Sequence, residues 1–119
     1  MRGSRLLVVI AVAALGCGDA PLCENSSQVE IASPDQQLVA WIFIRGCGAT
    51  VGDSIQVSIL PAGSAPPEDT GNAFTMDKRG EVRVNWSADR ELVISHKPTD
   101  RVSKHETEVA GVKVSYEVE

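Results

Sequence analysis

The sequence predicts an all-β domain, a small antiparallel meander that closes as a sandwich or a partly open barrel and carries one disulfide. Three observations predict it. Apolar residues recur with period two along most of the chain, and no segment shows a convincing period of 3.6. Turn chemistry interrupts the apolar stretches, at Ser33-Pro34-Asp35-Gln36, Ser87-Ala88-Asp89-Arg90 and Ala110-Gly111. The chain has 119 residues, 43% of them hydrophobic, which is enough for one modest core.

Residues 1–16 read as a signal peptide of the lipoprotein type. Arg2 and Arg5 supply a positive start, and residues 6–15 form an unbroken apolar stretch. As a helix that stretch would rise about 15 Å, half of a ~30 Å hydrocarbon core. Ala14-Leu15-Gly16-Cys17 then resembles the lipobox of bacterial lipoproteins. The resemblance implies that cleavage leaves Cys17 as the first residue, carrying a diacylglyceryl group and a palmitate-type acyl chain. Two or more such chains make a stable membrane anchor.

Cysteine parity agrees with that reading. There are three cysteines, an awkward number for an oxidising compartment. Lipidation of Cys17 leaves Cys23 and Cys47 as one pair. A bridge between them closes a loop of about 25 residues and contributes roughly 3.5 kcal/mol in the chain-entropy account. Residues 17–28 are then a polar, lipidated tether, and residues 29–119 a single β domain.

Within that domain, Val29 and Ile31 begin a strand that stops at Ser33-Pro34-Asp35-Gln36, where proline presets φ and the aspartate can bond nearby backbone. Residues 38–44 are apolar at every position, which predicts a central strand covered on both faces. Ile55, Val57 and Ile59 alternate with Ser54, Gln56 and Ser58, a strand with one wet face. Residues 61–72 are a Pro/Gly/Ala-rich connection, long for a compact domain and expected to be mobile. A short strand at 73–76 follows. Val82, Val84 and Trp86 then share one face, as do Leu92 and Ile94 after the turn at 87–90. Val112, Val114, Tyr116 and Val118 form the last strand, hairpinned through Ala110-Gly111 to residues 101–109. A Ser-x-Asp-x-x-Leu-Val frame occurs twice, from Ser33 and from Ser87, which reads as two hairpins sharing one turn chemistry.

The Ser33-Pro34-Asp35 turn, Leu38-Val39-Ala40, Cys47-Gly48-Ala49-Thr50, Gly52 and the run from Ser54 to Pro61 resemble a family of small, uncharacterised bacterial proteins, many of them secreted or lipoproteins. The likeness continues through Asn72 to Phe74, Val84 to Trp86, Leu92 to Ile94 and Gly111 to Tyr116. In that family an acid often precedes the cysteine and a second threonine follows the first; here those places hold Gly46 and Val51. The resemblance implies a secreted or lipid-anchored location but no activity.

Composition narrows the function classes. The net charge is −5 with no basic run, so the chain has no footprint for nucleic acid. Aromatic residues, at 4%, are too few for a base-stacking platform. Asp69-Thr70-Gly71 matches the aspartic-protease triplet, but Ala65-Pro66-Pro67-Glu68 leads into it as loop and not as strand. His105-Glu106 opens like a zinc-protease helix without the second histidine. His96 and His105 are the only histidines, and with nearby acids such as Asp100 or Glu106 they carry the competing reading, a small hydrolase or metal-dependent enzyme. Ser64 has no base beside it, and Gly48, Thr50 and Gly52 read as a sharp turn more readily than as an anion nest.

The expectation is therefore a non-enzymatic binding or inhibitor module without a cofactor. It would be lipid-anchored in the bacterial cell envelope, with its domain in the periplasm or outside the cell and an envelope protein as partner. Binding is expected on residues 47–54, through Thr50, Asp53 and Ser54, because a rigid strand and a disulfide at the loop's root leave those side chains little freedom to lose.

Overall fold

The computed structural model describes residues 23–48, 52–77, 80–98 and 101–119. Cys17 and Thr50 lie outside the described residues. Among the described residues nine strands follow in order: β1 (Glu24–Ala32), β2 (Leu38–Gly46), β3 (Ser54–Pro61), β4 (Phe74–Asp77), β5 (Val82–Ala88), β6 (Glu91–His96), β7 (Val102–His105), β8 (Glu108–Val109) and β9 (Val112–Val118). They make a five-stranded sheet of order β1-β2-β3-β4-β7 and a four-stranded sheet of order β5-β6-β9-β8. The domain is all-β and open, not a closed barrel.

Between the sheets lies the apolar core that period two predicted. Ala40, Ile55, Val57, Ile59, Phe74 and Met76 from the first sheet meet Leu92, Ile94, Val112 and Val114 from the second. Phe74, Leu92, Ile94 and Val112 have no exposed surface at all. Burying each such side chain is worth about 1.5–3 kcal/mol, and together these contacts hold the sandwich shut.

The meander holds through the first four strands and then breaks. After β6 the chain crosses to the far edge of the first sheet, where β7 pairs with β4, Phe74 opposite His105. It returns as β8 and β9, so β9 lies parallel to β6, with Leu92 opposite Val114. Only residues 108–109 of the expected 101–109 strand hairpin with β9. The reason is topological. One reversal before β7 and a second at Ala110-Gly111 restore the direction of β6. Both turn residues have positive φ, 53° and 78°, as a two-residue hairpin of matching twist requires.

The repeated Ser-x-Asp turns lie side by side. In the first, Ser33 Oγ donates to Asp35 Oδ1 at 2.8 Å, and Asp35 Oδ1 also accepts from the Gln37 N–H. The Arg90 guanidinium from the second turn reaches Asp35 Oδ2 at 3.1 Å. The hydrogen bond from Ser33, with Gln37 and Arg90 beside it, holds the Asp35 carboxyl below its ordinary pKa. Nearby, the Trp86 indole N–H donates to the Ile31 carbonyl at 2.9 Å and ties the β1 and β5 edges together.

One expectation is corrected at the start of the domain. β1 begins at Glu24 and not at Val29, so residues 24–28 belong to the sheet rather than to the tether. The Cys23–Cys47 bridge is the cause. It sets Glu24 opposite Gly46 and Asn25 opposite Arg45, which lets a stretch without apolar residues pair as a strand. A bulge between Ser26 and Val29, with Ser27 at a φ of 52°, then joins this polar half to the apolar half.

Candidate functional site

Strand β2 is buried on both faces, as its apolar run predicts. Leu38, Ala40 and Ile42 point into the core between the sheets, whereas Val39, Trp41 and Phe43 point outward and are buried on the other side of the first sheet. That outer face is framed by the connection 62–72, which acts as a strap. Residues on β1, β2 and β3 hold it. Asn25 Nδ2 donates to the Pro67 and Asp69 carbonyls, each at 2.9 Å, and Gln28 Nε2 to Pro67 at 2.8 Å. Arg45 Nη1 donates to the Glu68 carbonyl and to Asn25 Oδ1.

On the far side of the frame the strap returns along β3. The Gly71 N–H donates to Gln56 Oε1, and the Asn72 N–H to Ser58 Oγ. The Asn72 carboxamide bonds both the N–H and the carbonyl of Ile59, standing in for one more peptide of the β4 ladder. Glycine is needed at 71, because a Cβ there would lie 2.6 Å from the Val57 carbonyl oxygen. The expected mobile connection is thus a pinned one. The expected wet face of β3 is also corrected, since Gln56 and Ser58 are buried, their polar groups spent on the strap. Within the frame, the Trp41 indole N–H is buried without a partner among the described residues. Such an orphan donor costs about 1–3 kcal/mol.

At the disulfide end, the polar half of β1 and the strap enclose a cleft of about 480 Å³. Cys23, Glu24, Asn25 and Gln28 form one wall, and Ala65, Pro66, Pro67 and Glu68 the other. Two adjacent prolines have few backbone conformations to lose, so this wall is stiff. The cleft is open and lined by polar and apolar surface alike. Apart from Cys23, none of its residues stands out in the sequence. The available signal was Asn25 and Gln28, long polar side chains on a strand with no core to face.

The sequence-predicted site residues converge only in part. Cys23 and Cys47 are bridged, at the base of the cleft and just beyond the β1–β2 pairing. Asp53 is exposed beside Gly46, where a side chain's Cβ would lie 2.8 Å from its carboxylate oxygen. An acid in place of Gly46 would crowd that group. Ser54 accepts from Gln56 Nε2 at 2.8 Å and sits within 3.4 Å of the Arg45 carbonyl. It therefore steadies Gln56, whose Oε1 accepts from the Gly71 N–H of the strap.

The histidines lie elsewhere, at the ends of β6 and β7. His96 is buried, its ring 5.3 Å from Phe74 and its Nδ1 2.7 Å from the Lys97 carbonyl. His105 is exposed and stacked 3.6 Å from the Tyr116 ring. Tyr116 donates to the Glu106 carbonyl at 2.6 Å, and burial, with the Glu106 carboxylate nearby, pushes its pKa up to about 12. Each histidine thus packs on an aromatic ring. Among the described residues no group of three or more His, Cys, Asp or Glu is placed to hold a metal ion. The Asp69 carboxylate accepts from its neighbour's N–H, at Thr70, on the exposed strap.

Compared with models of known protein families, with curated proteins and with solved structures, the chain finds no match.

Proposed function

We propose that the chain is a lipid-anchored protein of the bacterial envelope whose β domain binds another envelope protein, as an inhibitor or an assembly component, without catalysing a reaction. The observation that carries this reading is the Cys23–Cys47 bridge, which uses two of the three cysteines. It leaves Cys17 alone, directly after Ala14-Leu15-Gly16 and a short apolar run, in the position a lipid would take. A structural disulfide is also at home in an oxidising compartment. The open cleft beside Cys23 supports a binding role, because its wall with two adjacent prolines gives up little entropy on association.

Labelled palmitate supplied to bacteria expressing the full chain should enter the protein, and Cys17→Ser should abolish incorporation. Equal labelling of the variant refutes the anchor. For binding, a photo-crosslinker placed at Glu68 in the cleft should trap one defined envelope protein. The same group at Lys113, exposed on β9, should trap none. Equal trapping from both positions refutes the cleft as the binding surface. Loss of a measurable turnover in His96→Ala or His105→Ala would instead favour the hydrolase reading.

A further inference from the structure

We propose that the Cys23–Cys47 bridge is a redox latch on the strap. Its reduction frees the polar half of β1, and the middle of the strap, residues 65–70, then lifts from the face that holds Trp41. This inference does not depend on lipid anchoring.

The latch rests on what holds each segment in place. Residues 24–28 carry no apolar side chain, form the outer edge of their sheet and are separated from the rest of β1 by the bulge at Ser26–Val29. Backbone pairing with β2, the hydrogen bonds of Asn25 and Gln28 to the strap and of Arg45 to Asn25, and the covalent bridge hold them, and segments without buried apolar contacts open at low free energy. The middle of the strap depends on them in turn. Its hydrogen bonds run to Asn25 and Gln28, and to Arg45, whose guanidinium is itself steadied by Asn25. The two ends of the strap are anchored independently, by the Ala62 N–H on the Gln37 carbonyl and by Gly71 and Asn72 on β3. The middle can therefore swing while both ends stay fixed.

The trigger is accessible. Cys23 is partly exposed and lines the cleft, so an external thiolate can reach its sulfur. A dithiol reductant attacks, the Cys23–Cys47 bond breaks through a mixed disulfide, and the reductant closes to its own disulfide. Two electrons and two protons pass to the protein, leaving two thiols.

The test is limited proteolysis of the full chain in detergent with a glutamyl endopeptidase, oxidised and after treatment with dithiothreitol, read together with hydrogen–deuterium exchange of the strands. Cleavage after Glu68, which lies in the middle of the strap, should be at least about tenfold faster in the reduced protein, and the amides of residues 24–28 that pair with β2 should exchange at least about tenfold faster. Amides of β6 and β9 should change by less than about twofold, and reoxidation should restore protection. Unchanged cleavage after Glu68, or an equal loss of protection in β6 and β9, overturns the proposal. Asn25→Ala with Gln28→Ala, made in the oxidised protein, cuts the same link without touching the bridge. It should speed cleavage after Glu68 while leaving β6 and β9 unchanged, and no rise there overturns the proposal as well.

Discussion

The two faces of β2 are both buried, yet different chemistry buries them. The inner face packs Leu38, Ala40 and Ile42 against apolar residues of the second sheet, where fit and area supply the stability. The outer face holds Val39, Trp41 and Phe43 inside a frame of hydrogen bonds donated by Asn25, Gln28 and Arg45 or accepted by Gln56 and Ser58. Apolar contact is cooperative and hard to undo in part. A hydrogen-bonded frame can be opened at one side, because each bond contributes only about 0.5–1.5 kcal/mol net. The molecule thus has a fixed face and a releasable one on a single strand.

Substitutions at the two faces should separate these behaviours. The largest effect belongs to the inner core. Phe74→Ala removes a fully buried ring that touches both sheets through His96 and Tyr116, and should cost about 3–5 kcal/mol in denaturant unfolding, with the whole domain destabilised together. Gln56→Ala should cost less, about 1–3 kcal/mol, by leaving the buried Gly71 N–H without an acceptor. Its signature should be local, with amide exchange rising at residues 70–72 before β9 responds. If Gln56→Ala loosens β9 as much as the strap, the two faces are not independent.

That contrast also explains how much of the structure was legible in the sequence. The inner face was legible because a core formed by area writes itself as period two: Ile55, Val57 and Ile59, or Val112 and Val114, alternate and are buried. The one disulfide followed from parity. The outer face was illegible for the converse reason. Gln56 and Ser58 look like solvent-facing residues of a half-wet strand, and nothing in their spacing says that residues 71 and 72 will return to meet them. Residues 24–28 have a tether's composition, and only the covalent bond at Cys23 makes them strand. The parallel pairing of β6 with β9 was hidden too, since side-chain alternation is the same in either direction. The cleft inherits these gaps, being made of the polar half of β1 and the strap.

The smallest expected effect on stability at neutral pH concerns the seam where Tyr116 joins the sheets. Its hydroxyl donates to the Glu106 carbonyl, its ring packs 5.7 Å from Phe74, and burial followed by the Glu106 carboxylate raises its pKa from 10.0 to about 12. The fold therefore favours the neutral phenol. Below pH 10 the phenol is protonated folded or unfolded, and this contribution is intact. As pH rises from 10 toward 12 the unfolded chain ionises first, so the contribution falls away across that window. Tyr116 is the chain's one tyrosine, so phenolate absorbance reports it without overlap from another. Native protein should titrate near 12 and denatured protein near 10. Glu106→Gln should lower the native value only slightly, because burial is the larger cause. A native midpoint at the ordinary value would mean that water reaches the hydroxyl freely. The seam would then be the looser side of the sandwich, and the strap would not be its distinctive releasable element.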